Sequence, residues 1–357
     1  MNPPQPIVAS GRPWPSLLRS CLDQFGAEAA GANLGIVFLA DPATEAADEI
    51  LKALRTETGV SNWIGAAGGG IIAGGREIGG EGGIAIATLR LPRGAIRLFD
   101  LSRPTMPPGE GGLAIVHAPT DEALSADALV DLGRSTGAFL VGGRGSSAFE
   151  AGQFVGTPGA GGLVGATLRA PVACRAGLCR AHEPVGPERQ VTAALGGRLL
   201  RLDGRPALDV LREAAGELLV RDPARLLRQI CLAPLEDGDR VGRLHALLGH
   251  DAANGGLRID APQLRGSVRF MRRSPGYAID ALRDQANALK RRLDRRAQLA
   301  LLYVSERRGP ELLGPGVGEA AVLQAALGDV PLIGLRTREE IFDARPQSHA
   351  AVLCLIG

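Results

Sequence analysis

The sequence predicts a mixed α/β fold of two domains, whose mixed sheets are built from duplicated strand–helix–strand–strand units. Three observations predict it. Residues 34–91 have the apolar pattern of such a unit, and a glycine-rich turn interrupts the unit at residues 66–80. The same pattern then returns at residues 113–170, an offset of 79 positions. We therefore infer a pseudo-symmetric protein that arose by duplication.

The elements of the first unit follow from the spacing of its apolar residues. A continuous apolar run from Leu34 to Ala40 is typical of a buried strand. Apolar residues then recur at helical spacing until Gly59, which lies just past the predicted helix end. A second strand begins at Trp63, and the glycine turn leads from it into a last strand at residues 84–91.

Two further copies of this unit follow. Residues 113–118 repeat the first strand, and residues 161–171 match residues 82–92 with seven of eleven positions identical. A looser third copy closes the chain. Its predicted strands and helix lie at residues 299–304, 319–327, 330–334 and 350–356.

Length and composition limit the classes of function. A chain of 357 residues with 45% apolar and 22% charged residues is an ordinary globular protein that can hold two domains. A net charge of +2 gives no strong attraction to nucleic acid, and aromatic residues, which stack on single strands, make up only 3%. We therefore expect no nucleic-acid partner.

Cysteine usage and hydropathy predict a cytoplasmic protein. The five cysteines are scattered and form no C-x-x-C pair, which favours reduced thiols. No signal peptide is visible at the N-terminus. No uncharged apolar run reaches the roughly 18 residues that a membrane-spanning helix needs, so we expect no membrane insertion.

We expect three segments along the chain. An N-terminal arm with one helix occupies residues 1–30, a first domain residues 31–205, and a second domain residues 206–357. The turn Asp203-Gly204-Arg205-Pro206 marks the boundary, because it begins a helix with a proline near the first position. The third copy of the unit is expected to complete the second domain.

Four segments follow one another in a fairly specific order and spacing. They are Trp63-Ile64-Gly65 with the turn through Glu77, then Leu202 to Leu208, then Leu248 to Gly255 with Val268 to Arg273, and finally Val330 to Gly334 with Glu340-Ile341. Together these segments resemble the FIST family, the paired N- and C-terminal domains of bacterial sensory proteins. The resemblance covers roughly residues 31–357.

The resemblance implies a non-catalytic sensory protein that binds a small ligand, such as an amino acid or another anion, and signals through a partner. A histidine kinase or a cyclic-di-GMP enzyme is the partner that it implies. Some relatives are haem-containing nitric-oxide sensors, so haem is an alternative cofactor. Haem is not favoured here, because Met271 stands where the family supplies a histidine. Two other departures are Ala66, where Cys or Ser is common, and Arg338, which replaces an asparagine.

The two glycine-rich turns form the candidate ligand site. The candidate residues are Gly68, Gly69, Gly70, Arg144, Gly145, Ser146 and Ser147. Backbone N–H groups in such turns hold anions, and an arginine can clamp a carboxylate. We expect the turns to meet at the mouth of a cleft, with Arg144 setting the affinity for an anion. A plain role in tight turns is the alternative.

Other chemistry has weaker support in the sequence. The run from Gly143 to Ala148 fits G-x-G-x-x-A, but Gly152 interrupts any following helix, so a dinucleotide site is disfavoured. Cys174 and Cys179 near His182 lack a fourth metal ligand, and we expect no metal. No nucleophile with its base is recognisable, so we expect no catalytic residue. An enzyme that holds an anionic substrate at the glycine turns is the alternative function.

Overall fold

A computed structural model of the protein describes residues 5–357, apart from residues 27–30, 103–110, 120–123, 148–151, 159–161, 217–221, 237–239, 252, 262 and 315–317. Ala148 of the G-x-G-x-x-A pattern and Gly161 of the repeat lie outside the described residues. The chain forms two compact units. Unit one comprises Met1–Cys179 with Ile279–Gly357, and unit two comprises Arg180–Ala278.

The described residues form strands and helices in alternation. The strands are β1 (Ile7–Ser10), β2 (Leu34–Ala40), β3 (Asn62–Gly68), β4 (Gly70–Ala73), β5 (Arg76–Gly79), β6 (Gly83–Leu89), β7 (Ile96–Asp100), β8 (Leu113–Ala118), β9 (Phe139–Gly145), β10 (Gln153–Val155), β11 (Thr157–Pro158), β12 (Val164–Leu168), β13 (Cys174–Arg180), β14 (His182–Leu195), β15 (Arg198–Leu202), β16 (Arg205–Pro206), β17 (Ile230–Glu236), β18 (Arg240–Val241), β19 (His245–Asp251), β20 (Gly256–Ile259), β21 (Ser267–Arg273), β22 (Leu299–Ser305), β23 (Leu332–Phe342), β24 (Arg345–Gln347) and β25 (Ala350–Ile356). The α-helices are α1 (Trp14–Asp23), α2 (Ala47–Thr58), α3 (Ala126–Thr136), α4 (Ala207–Ala215), α5 (Pro223–Gln229), α6 (Pro275–Arg292), α7 (Pro310–Leu313) and α8 (Glu319–Leu327).

The three copies of the unit share one pattern of strand pairing. In each copy the first strand lies between a parallel second strand and an antiparallel last strand. The triplets are β3–β2–β6, β9–β8–β12 and β23–β22–β25. Ile36, Ile115 and Leu301 occupy the same position in their triplets, since each pairs with apolar residues on both sides. The mixed α/β class and the duplicated unit are therefore confirmed.

Unit one contains two sheets in the part of the chain that the structure describes. Sheet one holds the first copy, in the order β1–β6–β2–β3–β10–β11. Sheet two holds the second and third copies, in the order β13–β25–β22–β23–β9–β8–β12–β7, with β4, β5 and β24 added beside β23. The third copy therefore lies in unit one. The domain boundary between residues 205 and 206 stays a prediction.

The two sheets of unit one pack face to face. Ile36 and Phe38 of sheet one lie in one buried cluster with Ile115 and Leu301 of sheet two. Helices α1 and α2 cover the other face of sheet one, and helices α3, α6 and α8 cover the other face of sheet two. Alternate residues of each strand thus face either a helix layer or the inter-sheet layer. The result is a helix–sheet–sheet–helix arrangement.

The chain crosses from sheet one to sheet two at the first glycine turn. β3 ends at Gly68, and β4 begins at Gly70 and pairs with the first half of β23. A Cβ atom on Gly68 would lie 2.7 Å from the carbonyl oxygen of Arg336. Since real Cβ atoms do not approach a backbone oxygen so closely, glycine is what allows the two sheets to meet here.

Unit two is an antiparallel sheet with helices on one face. Sheet three has the order β14–β21–β17–β19–β20–β15–β16 in the described residues. Helices α4 and α5 pack on it through Leu208, Leu211 and Leu226, against strand residues such as Leu199 and Leu257. Next to these two leucines, Arg198 of β15 and Arg258 of β20 are exposed.

Among the described helices of both units, none combines the length and apolar character needed to cross a membrane.

Candidate functional site

The strand ends of the first and second copies meet in unit one. The hydroxyl of Ser146, just after β9, accepts a hydrogen bond of 2.9 Å from the backbone N–H of Gly69, just after β3. The hydroxyl of Ser147 donates to the carboxylate of Asp41, just after β2, over 2.7 Å. Ligands of α/β sheets bind outside the carboxyl ends of parallel strands, at a point where the strand order reverses. This junction is therefore the candidate functional site.

The structure brings the two predicted glycine turns together. A Cβ atom on Gly68 would lie 3.4 Å from the backbone nitrogen of Ser146, and one on Gly145 would lie 1.8 Å from the carbonyl oxygen of Ala67. Gly69 is exposed, whereas Gly70 already belongs to β4 and is buried. The glycines thus permit close contact between the turns, where Gly69 is exposed, Ser146 is half-buried and Ser147 is buried.

The side chain of Arg144 lies on the face of sheet two that helix α3 covers. Its Nε and Nη2 atoms both lie 3.0 Å from Oε2 of Glu339, which also accepts a hydrogen bond from the backbone of Leu124. Leu124 belongs to the cluster beneath α3. Only 13% and 7% of the two charged side chains are exposed. Arg144 is therefore engaged in a largely buried ion pair, a structural role that the sequence did not reveal.

We expect Arg144→Ala to lower the free energy of unfolding by about 1.5–3 kcal/mol, the usual worth of hydrogen bonds to a charged group. The physical reason is that Glu339 loses both guanidinium contacts while it stays largely buried. Urea unfolding measures the change. Arg97→Ala is the matched control, because Arg97 is an exposed arginine of the same sheet. If the two variants are equally stable, the ion pair of Arg144 does not stabilise the fold, and ligand binding remains its predicted role.

A buried polar group lies between the sheets, close to the strand ends. Nε2 of His117 on β8 is 2.8 Å from the hydroxyl of Tyr303 on β22. The ring of Phe38 packs edge-on against both, with centroids 5.8 Å apart. Burial lowers the pKa of His117 to about 3 and raises the pKa of Tyr303 well above its ordinary value. Both groups are therefore neutral at pH 7.

Three buried polar atoms of this layer have no hydrogen-bond partner in the described structure. They are Nδ1 of His117, Oε1 of Gln153 and Oγ of Ser305. A neutral imidazole always has one donor and one acceptor, so Nδ1 of His117 has unmet capacity in either tautomer. Buried polar groups are normally hydrogen-bonded, which makes these atoms candidates for contact with a ligand.

The strand register places these residues in one neighbourhood. Phe38, Ala66 and Gln153 form a row across sheet one, and the edge-on contact of Phe38 brings His117 of sheet two against that row. His117 in turn pairs in register with Gly143. Ala66 and Gly143 carry little or no side chain, so the polar groups surround small residues. Ala66, the residue that departs from the family pattern, therefore lies in this layer.

A second buried polar contact lies beside this group on β23. The carboxyl of Glu340 is fully buried, 2.8 Å from the hydroxyl of Thr337 and 3.2 Å from the backbone nitrogen of Ala350. Burial raises its pKa to about 8. The strand register shifts between Thr337 and Glu339, where Arg338 is exposed. Such bulges are frequent beside functional sites.

Sequence reasoning missed His117, Tyr303, Gln153 and Glu340 as site residues. One signal was available for His117: it interrupts an apolar strand at the carboxyl end, which is the position where ligands bind in such sheets. Glu340 stands in the Glu340-Ile341 pair of the fourth segment that resembles the family, whereas nothing in the sequence near Gln153 distinguishes it from an ordinary strand residue.

The other sequence-derived candidates lie in different places. Met271 is buried in unit two and pairs in register with Cys231, whose sulfur is 3.5 Å from His182. His245 contacts Asp260 over 3.0 Å, and the imidazole of His349 contacts Arg307. Within the described residues, no three histidine, cysteine or acidic side chains are grouped as metal ligands.

Comparisons with known proteins match part of this chain. Residues 33–205 match the family model of the FIST N domain. Two similar proteins are uncharacterized proteins of Mycobacterium bovis and Mycobacterium tuberculosis, each 30% identical over 167 residues. The match covers 44% of this chain and 43% of each relative. The chain thus matches less than half the length of these curated relatives.

Proposed function

We propose that this chain, which belongs to the FIST family through residues 33–205, is a sensory protein that binds a small polar molecule at the junction of its two sheets and signals through a partner. FIST domains are sensory domains that bind small ligands, which supports the class of function. This location is supported by the buried polar atoms that have no hydrogen-bond partner in the described structure, above all Nδ1 of His117.

An amino acid matches the chemistry of the junction. The carboxylate of Asp41 receives hydroxyl hydrogen bonds from Thr44 and Ser147, and it offers negative charge to an ammonium group. The hydroxyl of Ser146, whose oxygen accepts from the backbone N–H of Gly69, has its own hydrogen to donate to a carboxylate. The neutral side chains of His117 and Gln153 would then hydrogen-bond to a polar side chain of the bound amino acid. The ligand we propose is therefore a polar amino acid.

The output is proposed to pass to a separate protein, of the histidine kinase or cyclic-di-GMP enzyme class. A sensory function is preferred to an enzymatic one because burial lowers the pKa of His117, the imidazole between the sheets, to about 3. A general base works best with a pKa near the operating pH.

Ligand binding is tested with the full chain and the twenty amino acids. We expect mass spectrometry of the purified protein to reveal a co-purified small molecule, and calorimetry to identify an amino acid that binds. His117→Phe and Gln153→Leu should each weaken that binding about tenfold, because each removes a buried hydrogen-bonding group from the contact. The two variants are used together, since either alone could perturb the core.

The matched control for His117→Phe is His245→Gln, in which a half-buried histidine of unit two is replaced. It should bind the ligand with unchanged affinity. If both site variants bind as tightly as the native chain, the ligand lies elsewhere. If the native chain neither carries nor binds any of these molecules, the sensory function with an amino-acid ligand is wrong.

A further inference from the structure

Unit two has a cavity on the solvent face of sheet three, away from its helices. Its volume is about 250 Å³. Strands β15, β19 and β20 and the turn after β19 line it. The lining residues used below are Arg198, His250, Asp251, Asn254 and Arg258. Three of these five side chains are basic.

Two arginines stand directly opposite each other in this cavity. Arg198 on β15 pairs in antiparallel register with Arg258 on β20, and both side chains are exposed. Like charges directly opposite in a sheet destabilise the pairing. Such a pair is expected to need a compensating negative charge, and no acidic side chain of the described structure supplies one.

The hydrogen bonds around the cavity support this view. Within the described residues, neither Arg198 nor His250 has a side-chain partner, and Arg258 makes one long contact of 3.4 Å to the carbonyl of Leu248. The nearby carboxylate of Asp251 is already used by its own turn. It accepts hydrogen bonds from the backbone of Ala253 over 3.0 Å and from Asn254 over 2.7 Å.

We propose that this cavity binds a doubly charged oxyanion, as carried by inorganic phosphate or by a small phosphomonoester. Arginine is the side chain best suited to the task, because its planar guanidinium donates two parallel hydrogen bonds to one phosphate group. The imidazole of His250 adds a third donor. A cavity of this volume admits a phosphate group with a small organic part. The site is independent of the ligand proposed for unit one.

The test is isothermal titration of the full chain with inorganic phosphate and, separately, with phosphoserine. We expect both to bind in low salt and more weakly at 0.5 M NaCl, because exposed charges are screened. Arg198→Gln and Arg258→Gln should each weaken binding by about tenfold to a hundredfold, as expected for lost hydrogen bonds to a charged group. Tighter binding of phosphoserine than of phosphate would identify the phosphomonoester as the ligand.

Arg228→Gln is the matched control, because Arg228 is an exposed arginine of unit two outside the cavity. It carries the same change of charge and should bind phosphate like the native chain. Without anion, Arg198→Gln should melt no earlier than the native chain, since it removes a like-charge pair. Three outcomes overturn the proposal: equal losses in Arg228→Gln, unchanged affinity in both cavity variants, or no binding of either phosphate or phosphoserine by the native chain.

Discussion

Arg308→Met is expected to lower the free energy of unfolding by about 3–5 kcal/mol, the usual cost of removing one partner of a buried ion pair. The Nε of Arg308 donates to the carboxylate of Glu319 over 2.6 Å, and only 1% and 0% of the two side chains are exposed. The variant leaves Glu319 buried without its cation at the first turn of α8. Burial already raises the pKa of Glu319, and the field of Arg308 opposes this.

Two further variants separate this effect from a loss of packing. Arg308→Met/Glu319→Leu should recover most of the lost stability, because an apolar pair of similar volume replaces the ion pair. Arg283→Met is the matched control. Its exposed pair with Asp280, 2.9 Å apart, should be worth less than about 1 kcal/mol.

Urea unfolding followed by tryptophan fluorescence suits this measurement. Trp14 and Trp63 both lie in unit one, and Trp63 is fully buried there. The interpretation fails if Arg308→Met loses no more stability than Arg283→Met. It also fails if the double variant is as unstable as Arg308→Met alone.

Much of the fold could be predicted because its signals are local. The buried strands Leu34–Ala40, Leu113–Ala118 and Ala350–Ile356 are apolar except for His117, and the sequence predicts each with these boundaries. Helix α2 ends before Gly59, which adopts the left-handed conformation that a helix end favours. The boundaries of β23 were harder to predict from the sequence. Only its first residues carry an apolar pattern, whereas the strand continues through charged residues to Phe342.

The site could be predicted only in part, because its contacts are long-range. The glycine turns were found from composition, and the structure places Gly69 against Ser146, 77 positions later. His117 and Tyr303 are 186 positions apart, and Tyr303 lies in the third copy, which was assigned to a different domain. The sequence also could not show which face of the sheet the side chain of Arg144 lies on. This depends on which residues of β9 face the inter-sheet layer, and that follows from the pairing of whole sheets.

The buried carboxyl of Glu340 is expected to make the protein less stable as the pH rises. Burial raises its pKa from 4.5 to about 8, against the smaller opposing effects of its hydrogen bonds and of Arg308, while Glu339 adds to the rise. Between these two values the folded state binds one more proton than the unfolded state. The free energy of unfolding therefore falls with pH in this window, by at most about 1.4 kcal/mol per pH unit.

His117 acts in the opposite sense. Burial lowers its pKa from 6.5 to about 3, so the unfolded state binds the extra proton between these values, and stability rises with pH there. The two contributions oppose each other between about pH 4.5 and 6.5. Considering these two groups, we expect stability to rise from pH 3 to 4.5, to stay nearly level up to 6.5, and to fall towards pH 8.

Glu340→Gln isolates the carboxyl from the histidine. The amide of the variant is neutral at every pH, and its oxygen and nitrogen can bond the backbone of Ala350 and the hydroxyl of Thr337 as the protonated acid does. We expect the variant to match the native chain near pH 4 and to exceed its stability by several kcal/mol at pH 8.5. Urea unfolding at pH 4, 6 and 8.5 measures this difference. A difference that does not grow between pH 6 and 8.5 would mean that Glu340 is ionised in the folded protein.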